Sequence, residues 1–348
     1  MRILQVGLGN FGKRHLEAWH RLGFGGDLWI AEPDESKWKE IERYGMPKSR
    51  LLRSASEAIT QADIVDIVTS TDSHVALCRE ALAAGKDVFV EKPMTPTAAD
   101  AREIAELAQR MKRLMQVGFY YRYHPIAQRL KAELSQQAFG SVRYLTGNFC
   151  GFKRARNDVG VTHTDGIHFI DLFNWLLGAQ PVEVYALCRD HFGRGLEDFS
   201  IVLLTYSDGT VAKVESGYIQ PGRWKDKVVP GAMTTKEIAV MGKTATAEAD
   251  FETETLVIHD VHHELKNGVW TAVNAGAKQI PLEPCDPVQM VCGELSAFLK
   301  CVETRRPTEA GPVESGVNLA VLMEAVYESA AKGAPVRLET AVGAEAKA

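Results

Sequence analysis

Six residues near the start constrain this chain more than any other feature. Gly7-Leu8-Gly9-Asn10-Phe11-Gly12 follows a short apolar strand pattern at 2–6 and opens an amphipathic stretch near 11–22. A glycine pattern alone is weak evidence, but its setting makes it specific. A second strand pattern follows at 27–31, and Glu32 stands at its end. Gly7 permits a tight turn, Gly9 lets backbone approach a pyrophosphate, and Gly12 allows close packing of helix on strand. Asn10 and Phe11 complete the loop, and the helix N-terminus adds N–H donors and a favourable dipole. Glu32 lies where a carboxylate accepts hydrogen bonds from an adenosine ribose, and it would repel a 2′-phosphate. NAD is therefore expected and NADP disfavoured, although Lys13, Arg14 and Lys37 could host a phosphate if Glu32 turned away.

Short Val/Ile/Leu-rich runs recur at 63–68, 86–90 and 114–119, with a weaker one at 51–53. Amphipathic stretches near 34–44, 74–84 and 97–110 separate them. This alternation predicts an α/β domain, a Rossmann parallel sheet over residues 1–120. The pattern then changes. Helical periodicity at 124–134 and 166–177 is followed by alternating runs at 181–188, 199–206, 211–218, 236–241 and 254–258, and two helices close the chain at 287–304 and 313–331. That predicts a C-terminal α+β domain over 121–338 with a mostly antiparallel open sheet, then a flexible tail at 339–348.

Composition narrows the partners. A length of 348 residues suits two domains, and a net charge of −5 gives nucleic-acid binding no general support. No apolar run is long enough for a membrane span, and because the first residues read directly as a strand, no signal peptide is expected. Cys78, Cys150, Cys188, Cys285, Cys292 and Cys301 lack metal-knuckle spacing and read as reduced thiols of a cytoplasmic protein. His259, His262 and His263 lie in a polar strand end and turn, so no metal is expected there.

Three further segments carry a resemblance. Thr71-Asp72-Ser73-His74 follows the fourth strand, Lys86–Val90 runs into Glu91-Lys92-Pro93, and Asp165-Gly166-Ile167-His168-Phe169-Ile170-Asp171-Leu172 opens the helix of the second domain. In this order they resemble the glucose–fructose oxidoreductase / inositol dehydrogenase / rhizopine-catabolism (Gfo/Idh/MocA) family over almost the whole chain. The resemblance implies an NAD(P)-dependent oxidoreductase of secondary alcohols in sugars, polyols or nucleotide sugars. It implies that Thr71, Ser73, His74, Glu91 and Pro93 border the cofactor, that Lys92 is the active-site lysine, and that His168 is the acid/base. Relatives that cleave glycosides through transient NAD chemistry, and a non-catalytic galactose-pathway repressor, leave two other functions open.

The chemistry of the same residues agrees. Lys92 ends a strand where open α/β sheets bind ligands, and its ammonium can stabilise a developing alkoxide. His168 has Asp165 and Asp171 three residues to either side, and a carboxylate on one ring nitrogen suits the other to general base work. Family members commonly carry aspartate four residues before this histidine. Here that position is Thr164, so either Asp165 substitutes through a shifted turn or Thr164 occupies the site. His163 is a candidate substrate contact. Lys153, Arg154 and Arg156 suggest an anionic substrate, and Tyr120 and Arg122 lie at the expected domain junction. An open sheet in the second domain also predicts a homodimer or homotetramer.

Overall fold

Each strand of the first half is short, apolar and flanked by a helix, so both sheet faces are covered. The computed structural model describes residues 1–306 and 311–338; the expected tail at 339–348 lies outside them. The N-terminal elements are β1 (Ile3–Val6), α1 (Gly12–Arg21), β2 (Leu28–Ala31), β3 (Leu51–Leu52), β4 (Ile64–Ile67), α2 (Thr71–Ala83), β5 (Asp87–Glu91), α3 (Ala98–Met111) and β6 (Met115–Gly118). Their sheet is wholly parallel in the order β3-β2-β1-β4-β5-β6. Strand order reverses at β1, which puts the glycine loop at the edge where open α/β sheets bind ligands. The stretch near 34–44 forms a tighter 3-10 turn over Glu35–Tyr44. The Trp38 indole N–H donates to the Glu32 carbonyl (3.0 Å) and the Lys37 ammonium to the Glu32 carboxylate (3.1 Å), tying this turn to the strand end.

The second half contains α4 (Pro125–Ser135), β7 (Val142–Phe152), α5 (Ile167–Leu177), β8 (Glu183–Arg189), β9 (Phe199–Thr205), β10 (Val211–Gly217), β11 (Trp224–Lys225), β12 (Met233–Gly242), β13 (Thr246–Asp250), β14 (Thr255–Lys266) and β15 (Val269–Gln279). After them come α6 (Pro287–Thr304), α7 (Val313–Lys332) and β16 (Val336–Arg337). Ten strands form the second sheet, in the order β15-β14-β13-β12-β7-β10-β9-β8-β16 with β11 on β12. Only the β7–β10 pair is parallel, so the sheet is mixed but mostly antiparallel, as its alternating pattern predicts. The strand expected at 254–258 runs on to Lys266 and turns at Asn267-Gly268 into β15. Most of that hairpin is exposed or only half-buried on both faces, so its apolar residues do not alternate with polar ones in a legible pattern.

Two compact units emerge. One is Met1–Tyr123 with Asp286–Val321, and the other is His124–Cys285 with the chain from Leu322 onward. Val291, Leu295 and Phe298 of α6 join Leu16 and Trp19 of α1 and Phe89 of β5 in the first unit's core. No helix among the described residues is long and apolar enough to cross a membrane.

Candidate active site

The first unit builds a dinucleotide cradle from backbone. Gly7 has φ of +102°, and a Cβ there would fall 2.6 Å from the Val68 carbonyl oxygen. A Cβ on Gly12 would fall 2.5 Å from the Gly7 carbonyl oxygen. Nothing lies within 4 Å of where a Cβ on Gly9 would stand, so this face is open for phosphate. Buried Gln5 fastens the loop by donating to the carbonyls of Gly7 (2.9 Å) and Gly12 (2.8 Å). The Glu32 carboxylate accepts from the N–H groups of Leu8 (2.8 Å) and Asp34 (3.1 Å). Asn10 is exposed, whereas Phe11 packs 5.3 Å from the Tyr120 ring. An open glycine and a carboxylate at the end of β2 fit an adenosine diphosphate moiety with an unphosphorylated ribose.

Beside the cradle, Thr71 begins α2, and the Ser73 hydroxyl lies 2.6 Å from that of Thr69. His74 bridges two loops through contacts with the carbonyls of Pro93 (3.0 Å) and Thr69 (3.2 Å). Burial lowers its pKa, and a neutral ring carries one N–H, so it donates to one carbonyl at a time. Glu91 ends β5, and the following Lys92–Pro93 peptide bond is cis. One Glu91 oxygen accepts from the Lys92 backbone N–H (3.2 Å), and the other faces His15 Nε2 (3.3 Å). Tyr120 and Tyr121 are buried with their rings 4.6 Å apart, and the Arg122 guanidinium sits 4.4 Å from the Phe119 ring centre.

The second unit gathers the other candidates around a widened turn. Residues Thr162–Gly166 form one π-helical turn that runs into α5. Such a turn accommodates one extra residue, and π-turns concentrate at functional sites. Within it, the Thr164 hydroxyl donates back to the Gly160 carbonyl (2.9 Å), while buried Asp165 meets the Lys153 ammonium at 2.7 Å. His168 is buried with its ring stacked 5.9 Å from Phe149. Lys153 lies 5.0 Å from the centre of the same ring. His163 Nδ1 pairs with the Tyr327 hydroxyl (2.8 Å), which donates to Glu197 (2.8 Å). Arg154 is exposed, and Arg156 pairs with Asp158. His259 and His262 each meet a neighbouring carboxylate, Glu248 at 3.1 Å and Glu264 at 3.2 Å.

Sequence reasoning overlooked Gln5 and the buried set in which Asp66 meets His15 (3.0 Å) and accepts from the Trp19 indole N–H (2.7 Å). Gln5 and Asp66 are polar residues inside strands otherwise buried on both faces, and His15 and Trp19 lie one helical turn apart on α1. A polar residue in a fully apolar strand is the signal that could have found the first two.

Models of one family match both halves of the chain. Residues 1–119 match the oxidoreductase family with an NAD-binding Rossmann fold, and residues 127–248 match the GFO/IDH/MocA C-terminal domain. The chain belongs to the Gfo/Idh/MocA family of NAD(P)-dependent oxidoreductases. It is 27% identical to a D-apiose dehydrogenase of Paraburkholderia graminis over 351 aligned residues, covering 96% of this chain and 89% of that one. An inositol 2-dehydrogenase of Cereibacter sphaeroides is 30% identical over 62% of this chain and 66% of its own. Among solved structures, levoglucosan dehydrogenase in complex with NADH shares the fold at a TM-score of 0.81 and 18% identity, over 97% of this chain and 99% of that one.

Proposed function

We propose that this oxidoreductase transfers hydride between nicotinamide and a secondary alcohol or ketone of a sugar, polyol or nucleotide-linked sugar. Nicotinamide, when bound, supplies the hydride acceptor. His168 takes the hydroxyl proton on an imidazole nitrogen, and the Lys92 ammonium holds the oxygen as it gains alkoxide character. In the reverse direction the same groups return the proton and polarise the carbonyl. Asp165 and Thr164 are the further candidates on the turn before His168, where Asp165 pairs with Lys153. The Glu91-Lys92-Pro93 turn carries the reading: a lysine held by its own backbone at a ligand-binding sheet edge, next to an open glycine loop. Glu32 supports NAD over NADP.

Arg154 and Arg156 are both exposed on the 153–156 segment, and because Arg156 pairs with Asp158, Arg154 is the cation better suited to a substrate anion. Six cysteines, none of them in a disulfide, suit a reducing, cytoplasmic setting, and the second unit's open sheet suits a homodimer or homotetramer. Sedimentation showing only a 38.3 kDa species at micromolar concentration would argue against assembly.

Purified protein incubated with NAD and a panel of inositols, free sugars and nucleotide sugars should raise NADH absorbance with at least one of them. Lys92→Ala should lose that turnover by at least about a hundredfold. Full turnover by this variant would refute the role of Lys92. Release of free sugar without net NADH would point to glycoside cleavage instead.

A further inference from the structure

Beneath the Lys92 turn the first unit buries four ionisable side chains from four elements: His15 (α1), Asp66 (β4), Glu91 (β5) and Glu294 (α6). His15 Nδ1 meets Asp66 at 3.0 Å, and the Trp19 indole N–H donates to the same carboxylate oxygen at 2.7 Å. His15 Nε2 faces Glu91. The Glu91 carboxylate lies so close to β6 that a Cβ on Gly118 would fall 2.3 Å from Oε1, so glycine there makes its room. Glu294 completes the group. Its residue is 0% exposed, and neither carboxylate oxygen makes a hydrogen bond of ordinary geometry. One nitrogen or oxygen each of His15, Glu91 and Glu294 lie within 4.8 Å of one another.

An ionised Glu294 would set three carboxylates against one imidazolium, with two bare anionic oxygens in a dry core. Uncompensated burial of that kind costs several kcal/mol. A protonated carboxyl removes the charge and becomes a donor, and Glu91 is the carboxylate beside it. We propose that Glu294 retains a proton and donates a hydrogen bond through it to Glu91, which makes Glu294 a positioning residue for the Lys92 turn. Glu91 is then gripped from two sides, by His15 and by Glu294, while its other oxygen holds the Lys92 N–H. The electrostatics agree. Burial and then the Glu91 charge push Glu294 well above the usual carboxyl range, and His15 and the Phe119 N–H do not offset them. Burial alone would lower His15, but Asp66 and Glu91 raise it to about 10.

The effect on turnover rests on the role given to Lys92; the proton does not. Infrared difference spectra of the full-length protein at neutral pH should show a protonated-carboxyl C=O band that Glu294→Gln removes. Glu294→Met, which fills the space without a donor, should keep its melting temperature yet lose about tenfold in kcat, with a smaller change in KM. Glu294→Gln keeps a donor and should stay nearer to wild-type kcat. Absence of the infrared band, wild-type kcat in Glu294→Met, or stoichiometric zinc on His15, Glu91 and Glu294 in the purified protein would each overturn the proposal. Full activity in Lys92→Ala would sink the Lys92 reading alone, because the band still decides the proton.

Discussion

Lys153 shows what a sequence reveals of a cation and what it conceals. Read along the chain, it is one of three positive charges offered to a substrate. In the fold its ammonium is 2.7 Å from Asp165, with 6% and 3% of the two side chains exposed. Removing one partner of such a pair strands the other charge in a poor solvent. Lys153→Met should therefore destabilise the protein by roughly 3–5 kcal/mol, read from denaturant unfolding. A change below about 1 kcal/mol would mean that water reaches Asp165. The residue types of the candidate site were legible because Gly7, Gly9, Gly12, Glu91, Lys92 and His168 occur in ordered motifs. Partners distant in sequence were not. Glu294 lies 203 residues beyond Glu91, and no local pattern links them.

Element-scale readings succeeded where burial imposes a period and failed where it does not. β1, β4 and β5 are buried throughout and read as largely apolar runs despite Gln5, Asp66 and Glu91. The β14–β15 hairpin exposes Leu265, Val269 and Trp270 and carries no such signal. Caps are a further case. His124 precedes Pro125, and its Nδ1 accepts from the Ile126 N–H at 3.1 Å, so a neutral imidazole caps α4. Burial, with Lys227 and Lys236, pushes its pKa down from 6.5 to about 3. The unfolded chain therefore binds more protons between these values. Stability from this group is present above pH 6.5 and is lost as pH falls toward 3, by up to about 1.4 kcal/mol per pH unit. Asparagine caps a helix without titrating. Denaturant titrations of His124→Asn at pH 7 and pH 5 should show a shallower acid-side loss than wild type, and identical losses would contradict the neutral cap.

At the scale of the whole molecule, chain order and structural unit part company. The periodicity of 287–304 announces a helix but not its destination. The destination is set by shape: Val291, Leu295 and Phe298, each fully buried, fill the first unit's core beside Trp19 and Phe89. Burying such side chains contributes about 1.5–3 kcal/mol each. Three of them contribute roughly 5–9 kcal/mol, comparable with the roughly 5–15 kcal/mol net stability of a domain. A fragment ending at Tyr123 also loses the Gln116 side-chain bond to the Glu294 carbonyl (3.0 Å) and the Val117 N–H bond to Gly311 (2.9 Å). Residues 1–123 alone should therefore lack a cooperative thermal transition. The same residues joined to 286–321 by a flexible linker should regain one and, with it, dinucleotide binding. Circular dichroism melts and NAD titration calorimetry on the two fragments provide the comparison. A cooperative melt of 1–123 matching that of the linked fragment would show that the glycine-loop sheet carries its own core.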